Sequence, residues 1–132
     1  MDPACRPIVV VAAVIEEDDN FLVAQRLAGS HLAGYWEFPG GKCDRGEAHT
    51  ACLVREIREE LGTEARVGEK LLKTTHAYED RTVELHFYRC QLLGTPKPLL
   101  GQAIRWVPRS ELRELPFPPA DKELIRKLTI VE

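Results

Sequence analysis

Three glutamates, Glu56, Glu59 and Glu60, crowd into the stretch GGKCDRGEAHTACLVREIREELG that runs from residue 40 to residue 62. On a helix, residues three and four apart are surface neighbours, so Glu56 faces both of the others and the like charges repel. Two accounts explain such a cluster. Arg55 and Arg58 could neutralise it and leave a solvated face, or a divalent cation could occupy it, because hard cations take clustered oxygen ligands. In the second case the cluster is a metal site, and a bound cation inverts the local charge.

The rest of the chain has to hold that helix in place. Its 132 residues suffice for one domain, spanning 1–132, that buries a core without metal or disulfide staples. A net charge of −3, with both signs interspersed, argues against a nucleic-acid polymer as partner, while small anions stay open where a cation inverts the local field. Cys5, Cys43, Cys52 and Cys90 have no paired C-x-x-C spacing, which leaves a zinc site without support and predicts reduced thiols. The apolar run near the N-terminus is too short to span a membrane and lacks a signal peptide's basic start and cleavage pattern, so the expected location is the cytoplasm.

Residues IVVVAAVI and FLVAQR, separated by EEDDN, predict two strands joined by a tight turn. Pro39, Gly40 and Gly41 then interrupt regular structure. From about Glu47 to Leu61 the pattern is helical, with Leu53, Val54, Ile57 and Leu61 on one arc and the three glutamates on the arc beside it. Gly62 stands where a helix C-terminal glycine belongs. Two further strands follow, the second alternating Val83, Leu85 and Phe87 against Glu84, His86 and Tyr88. AIRWVP predicts one more strand, SELRELP a helical turn, and a last helix starting near Asp121 carries Leu124, Ile125 and Leu128 on its apolar face. Strands mixed with two or three helices imply an α/β sandwich.

Gly41, five residues, Glu47, seven residues and then REIREELG form a spacing that resembles the Nudix box, the signature of Nudix hydrolases. Only the last position departs, with Thr63 where an aliphatic residue is usual. EFPGGK, the Gln25-Arg26 pair and PFPPADKELIRKL extend the resemblance over most of the chain to the MutT-type branch, which includes 8-oxo-dGTP diphosphatases and CTP pyrophosphohydrolases. The resemblance implies a single-domain α/β/α sandwich with a mixed sheet, a Mg2+ cofactor with Mn2+ as a substitute, and hydrolysis of a nucleoside triphosphate to the monophosphate and pyrophosphate. It assigns Glu56 and Glu60 as leading metal ligands, Glu59 to metal binding or water activation, and the Gly41 carbonyl to the same shell. Arg55 would orient the glutamates by charge-assisted hydrogen bonds. Glu47 is either a first-turn carboxylate favoured by the helix dipole or a salt-bridge partner of Arg55.

MutT-type relatives often carry a further glutamate where this chain reads Leu99-Leu100-Gly101-Gln102, and Leu100 can neither bind a metal nor accept a proton. Either the box carboxylates suffice, or Glu79, Asp80 or Glu84 approaches from the neighbouring strand. Arg26 suits a phosphate contact by resemblance, or is a solvated strand end. Phe38 stacks on a base or fills the core. Arg81 and Val83 line the base pocket by resemblance, or are a surface arginine and a core valine. Asp121 caps the last helix, or recognises the base as the residue after PPA does in MutT-type relatives. Ionised, it only accepts hydrogen bonds, which suits the cytosine 4-amino group or the N7–H of 8-oxoguanine. His31 and His76 lack ligand spacing, and Trp36 and Trp106 are expected in the core or at a pocket edge.

The leading expectation is an 8-oxo-dGTP pyrophosphohydrolase acting on a small-molecule nucleotide, with CTP or a modified dCTP as the alternative and a homodimer left open. A second enzyme reading is cleavage of ADP-ribose or dinucleoside polyphosphates, with Tyr78 near the spacing at which some dinucleoside polyphosphate hydrolases carry a tyrosine. From another class, a catalytically weak nucleotide-sensing module is supported by Leu100 only.

Overall fold

The computed structural model describes residues 6–130; Cys5 lies outside them. Strand β1 (Ile8–Glu17) and β2 (Asn20–Gln25) form the expected hairpin. Asp18 and Asp19 both take positive φ, 51° and 65°, which is the two-residue turn whose twist matches that of the flanking strands. Short strands β3 (Trp36–Glu37) and β4 (Gly40–Lys42) lead to helix α1 (His49–Leu61). After it come β5 (Ala65–Ala77), β6 (Thr82–Leu92), β7 (Ile104–Pro108), two 3-10 turns, Arg109–Glu114 and Pro119–Asp121, and helix α2 (Lys122–Thr129).

The sheet is mixed, in the order β3-β2-β1-β6-β5, with β4 added to β1 and β7 to β2. β1 is its hub. It runs parallel to β6 from Ile8↔Val83 to Ile15↔Cys90, and on its other edge pairs antiparallel with β4 through Val11↔Gly41. Because side chains alternate, one face of β1 sends Val11, Ala13 and Ile15 under α1, against Leu53, Ile57 and Leu61. The opposite face packs Ala12, Val14, Leu85 and Phe87 against Leu124, Ile125 and Leu128 of α2. Two buried layers around one sheet make the α/β/α sandwich.

Three local details differ from expectation. Helix α1 starts at His49 and has no acid in its first turn, so Glu47 lies outside it. Glu47 instead closes the preceding turn: its carboxylate accepts from the Asp44 N–H at 2.8 Å. Glu84 and His86 were expected on a polar face of β6, yet His86 is buried, because α1 covers that face too. Trp106 is about one-third exposed, at 37 %, and belongs to neither core, whereas Trp36 packs on the α2 side. Gly62 fulfils its assignment, with φ 66° and its N–H on the Arg58 carbonyl at 3.0 Å. Thr63 is buried, and its hydroxyl fills the space a side chain on Gly94 would need, so the departure in the motif serves packing.

Candidate active site

Arg55 organises the acid cluster. Its Nε and Nη2 donate to the two oxygens of Glu47, each at 2.8 Å, in the forked geometry a guanidinium shares with a carboxylate. Its Nη1 donates to Glu56 at 3.1 Å and reaches Glu59 at 3.3 Å. Its Nη2 also meets the Lys42 carbonyl at 3.2 Å and Cys52 Sγ at 3.8 Å. Arg58 takes no part, because it is paired with Glu64 at 2.6 Å. The Arg55 hydrogen bonds and the Asp44 N–H hold the Glu47 carboxyl down to about 2.

Glu60 and Glu56 answer to burial instead. Glu60 turns towards the sheet and accepts the Gly40 N–H at 3.1 Å. Burial, then the charges of Glu37 and Glu56, push its carboxyl up to about 8. Burial raises Glu56 as well, against the pull of Arg55. Its carboxylate lies where a Cβ on Gly41 would be, so glycine at 41 is what lets α1 bring an acid down onto β4.

These groups fit a hard divalent cation in chemistry: oxygen donors only, and a buried surplus of acid over base. Their arrangement is spread, and among the described residues no three Asp, Glu, His or Cys side chains are gathered closely enough to hold an ion together. The cause is visible, since Arg55 draws Glu56 and Glu59 to one side while the Gly40 N–H draws Glu60 to the other.

A cavity of about 250 Å³ opens on the opposite face of the sheet and ends at Gly40 and Gly41. Val83 and Leu85 form its floor, and Phe38 one wall. Phe38 is buried with its ring stacked on Phe117, centroids 5.4 Å apart, and edge-on to Phe87, so it is a packed wall rather than an open stacking platform. Arg26 reaches the cavity with its guanidinium committed: Nη1 donates to both oxygens of Glu37 at 3.1 Å, and Nε to the His31 carbonyl. Arg81 stands exposed at the rim, paired with Asp80 at 3.0 Å. His31, in the wall, meets Tyr78 edge-on at 4.8 Å.

Asp121 sits at the start of α2 but makes no capping hydrogen bond. It is buried, 5 % exposed, and faces the cavity. Burial, then the Glu37 charge, pushes it up to about 8, which favours the neutral acid over the carboxylate near neutral pH. A protonated carboxyl at this position donates through O–H and accepts through C=O, where an ionised one only accepts.

Glu37 is the group that sequence reasoning missed. It lines the cavity, and it raises the proton affinity of both Glu60 and Asp121, so it lies electrostatically between the helix and the cavity. The available signal was an acid inside the two-residue strand between Trp36 and Phe38. Of the acids weighed against the gap left by Leu100, Asp80 is held by Arg81, Glu84 by His86 at 2.8 Å, and Glu79 is exposed in the turn between β5 and β6. The Leu100 loop has a structural task, since Leu99 N–H and the Gln102 amide both donate to the Glu60 carbonyl, at 3.1 and 3.2 Å.

The NUDIX domain model matches residues 10–127. The chain belongs to the Nudix family. It is 43% identical over 119 residues to the CTP pyrophosphohydrolase of Escherichia coli (strain K12), covering 89% of this chain and 88% of that protein. To the 8-oxo-dGTP diphosphatase of the same organism it is 31% identical over 121 residues, covering 91% and 94%. The solution structure of the E. coli ORF135 protein superposes with a TM-score of 0.82 at 42% identity, over 92% of this Nudix chain and 87% of that one. This protein is a Nudix hydrolase, and among its described residues no helix is long and apolar enough to cross a membrane.

Proposed function

We propose that this Nudix hydrolase cleaves (deoxy)nucleoside triphosphates to the monophosphate and pyrophosphate with Mg2+, and that 8-oxo-dGTP is its leading substrate. The observation that carries the reading is continuity: Gly40 and Gly41 end the cavity, and the same two glycines support Glu60 and Glu56. A base in the cavity directs its phosphates over that strand onto the acid helix.

Glu56 and Glu60 would hold the cation, with Glu59 and the Gly41 carbonyl as further oxygens; bound there, Mg2+ neutralises phosphate charge and lowers the pKa of a water. Arg55 keeps the carboxylates in register from the side away from substrate. Glu59 is the most exposed of the three, its side chain at 56 %, and is free to turn towards that water. The reaction adds water across one phosphoanhydride P–O bond, and pyrophosphate leaves.

Asp121 supplies base choice. A neutral carboxyl pairs with a donor and an acceptor standing side by side. The O6/N7–H edge of 8-oxoguanine offers that pattern, whereas the same edge of guanine offers two acceptors. Cytosine N4–H and N3 offer it too. The similarity to a CTP pyrophosphohydrolase favours CTP or a modified dCTP as the second reading.

The test is pyrophosphate release from 8-oxo-dGTP, dGTP, CTP and 5-substituted dCTP with Mg2+ or Mn2+, beside Glu60→Gln. Preference for 8-oxo-dGTP over dGTP, lost in the variant, is expected. Higher kcat/KM with CTP selects the second reading, and nucleotide binding without release would sink both in favour of a sensing module.

A further inference from the structure

Under the first turn of α1, about two helical turns before Glu56, two imidazoles meet. His49 opens the helix and His86 stands on β6, with ring centroids 4.3 Å apart and planes tilted by 53°. Each ring has one nitrogen already engaged. His86 Nε2 lies 2.8 Å from the Glu84 carboxylate, and His49 Nδ1 lies 2.9 Å from the Tyr88 hydroxyl. The other nitrogen of His86, Nδ1, is the one buried side-chain polar atom without a hydrogen-bond partner among the described residues. The residue is only 4 % exposed, so that nitrogen is shut away from bulk solvent.

The partners assign the tautomer. A carboxylate only accepts, so His86 Nε2 carries the proton and donates to Glu84, which leaves a bare lone pair on Nδ1. Burial lowers the proton affinity of the ring and keeps it in this neutral form. The Tyr88 hydroxyl accepts as readily as it donates, so His49 can hold its proton on Nδ1 and present a lone pair at Nε2. A buried acceptor left unmet is unfavourable, and a ligand at the pair relieves it.

We propose that His49 and His86 form a binding site for a transition-metal ion of the Zn2+ or Ni2+ kind, which ties the first turn of α1 to β6. A ligating histidine usually gives its far N–H to a carboxylate, which fixes the ring and strengthens the donor atom, and Glu84 holds that place. Imidazole nitrogens select zinc, nickel and copper over Mg2+, whereas the carboxylates further along α1 suit Mg2+. Charge does not draw the ion in. Lys73 stands 3.9 Å from Glu84, and Lys70 lies over the Tyr88 ring at 5.9 Å, so the attraction is that of the two nitrogen donors. Among the described residues no three Asp, Glu, His or Cys side chains are grouped to hold an ion, so water completes the shell. At metal–nitrogen distances of about 2.0–2.1 Å, two rings on one tetrahedral ion have centroids about 5 Å apart, and closing on the ion takes a ring shift of about 1 Å. His49, half-buried beside the enclosed His86, is the ring with room to move. Half the ligands of a structural zinc site correspond to a Kd on the order of 1–100 µM.

The test titrates Zn2+, and separately Ni2+, into the full chain in excess Mg2+, which competes for hard-oxygen sites. Imidazole 15N spectra with Zn2+ should show His86 Nδ1 and His49 Nε2 shifting together, and Tm should rise with zinc concentration by mass action. His49→Ala should weaken zinc binding at least about tenfold, and so should Glu84→Gln, which removes the outer carboxylate. His86→Gln keeps an amide donor for Glu84 and should abolish the shift at His49; should that variant not fold, His49→Ala decides alone. Equal affinities for the wild type and His49→Ala overturn the proposal, and so does zinc binding that leaves both imidazoles unshifted. No arm uses nucleotide hydrolysis, so the outcome is independent of the proposed reaction.

Discussion

Glu47 and Asp121 are both acids of the same site region, and their proton affinities lie far apart. Glu47, gripped by both arms of Arg55, is held at about 2, while Asp121, buried with no cation bonded to it, rises to about 8. Glu60 belongs with Asp121: its one fixed partner is an N–H, and its strongest charged neighbours are acids. The chain therefore places the forked grip of Arg55 at the outer edge of the acid helix and leaves the inner acids Glu60 and Asp121 short of positive charge. That imbalance is what a cation and a substrate would relieve.

The largest expected break in this contrast is Glu60→Gln. It should cost roughly 10²–10⁴-fold in pyrophosphate release, while Tm at pH 8 does not fall, because an amide buries no charge. A drop in Tm equal to that of an ordinary core lesion would place Glu60 among structural residues. Next comes Arg55→Lys. An ammonium cannot reproduce the fork on Glu47 and reach Glu56 together, so activity should fall about 10–100-fold, and a higher Mg2+ requirement in the titration would mark the loss as positional.

Asp121→Asn sharpens the contrast through pH. The unfolded aspartate releases its proton near the ordinary value of 3.8, whereas the folded one keeps it to about 8. Between those values the native state binds the extra proton, so stability falls as pH rises, by about 1.4 kcal/mol per unit for this one group. The asparagine variant should lose that slope in urea melts from pH 5 to 8. It keeps a donor and an acceptor, so its activity should persist above pH 8, where the wild type declines. Identical pH profiles would show that Asp121 does not titrate there. The smallest effect belongs to Leu100→Glu: the side chain is half exposed, and Glu37 already brings an acid up to Glu60, so kcat/KM should stay within about twofold. A large gain would mean that the loop position itself limits catalysis.

What could be read from sequence was whatever obeys local rules. The Asp18-Asp19 turn, the apolar arc of α1 and the Gly62 cap depend on residues a few positions apart, and each stands where spacing put it. The clustering of Glu56, Glu59 and Glu60 was legible for the same reason. The tie of Arg55 to Glu47 was among the alternatives, and the turn at Asp44 decided for it. Groups whose state is set by distant packing were not legible. Phe38 is closed off by Phe117, Arg26 is occupied by Glu37, and the Asp121 carboxyl is pushed up by burial and by the Glu37 charge. No spacing rule encodes burial of that kind.

The pairing of β1 has a consequence for how the molecule assembles. Its hairpin with β2 closes at once, but its parallel partner β6 lies far along the chain, with Ile8 beside Val83 and Ile15 beside Cys90. During synthesis IVVVAAVI must therefore wait, one edge open, until most of the protein has emerged. An unpaired, β-branched apolar edge is the surface on which nascent chains associate with one another. Closure of the sheet thus waits on a long-range pairing, a kinetic demand set by topology and independent of any residue in the active site.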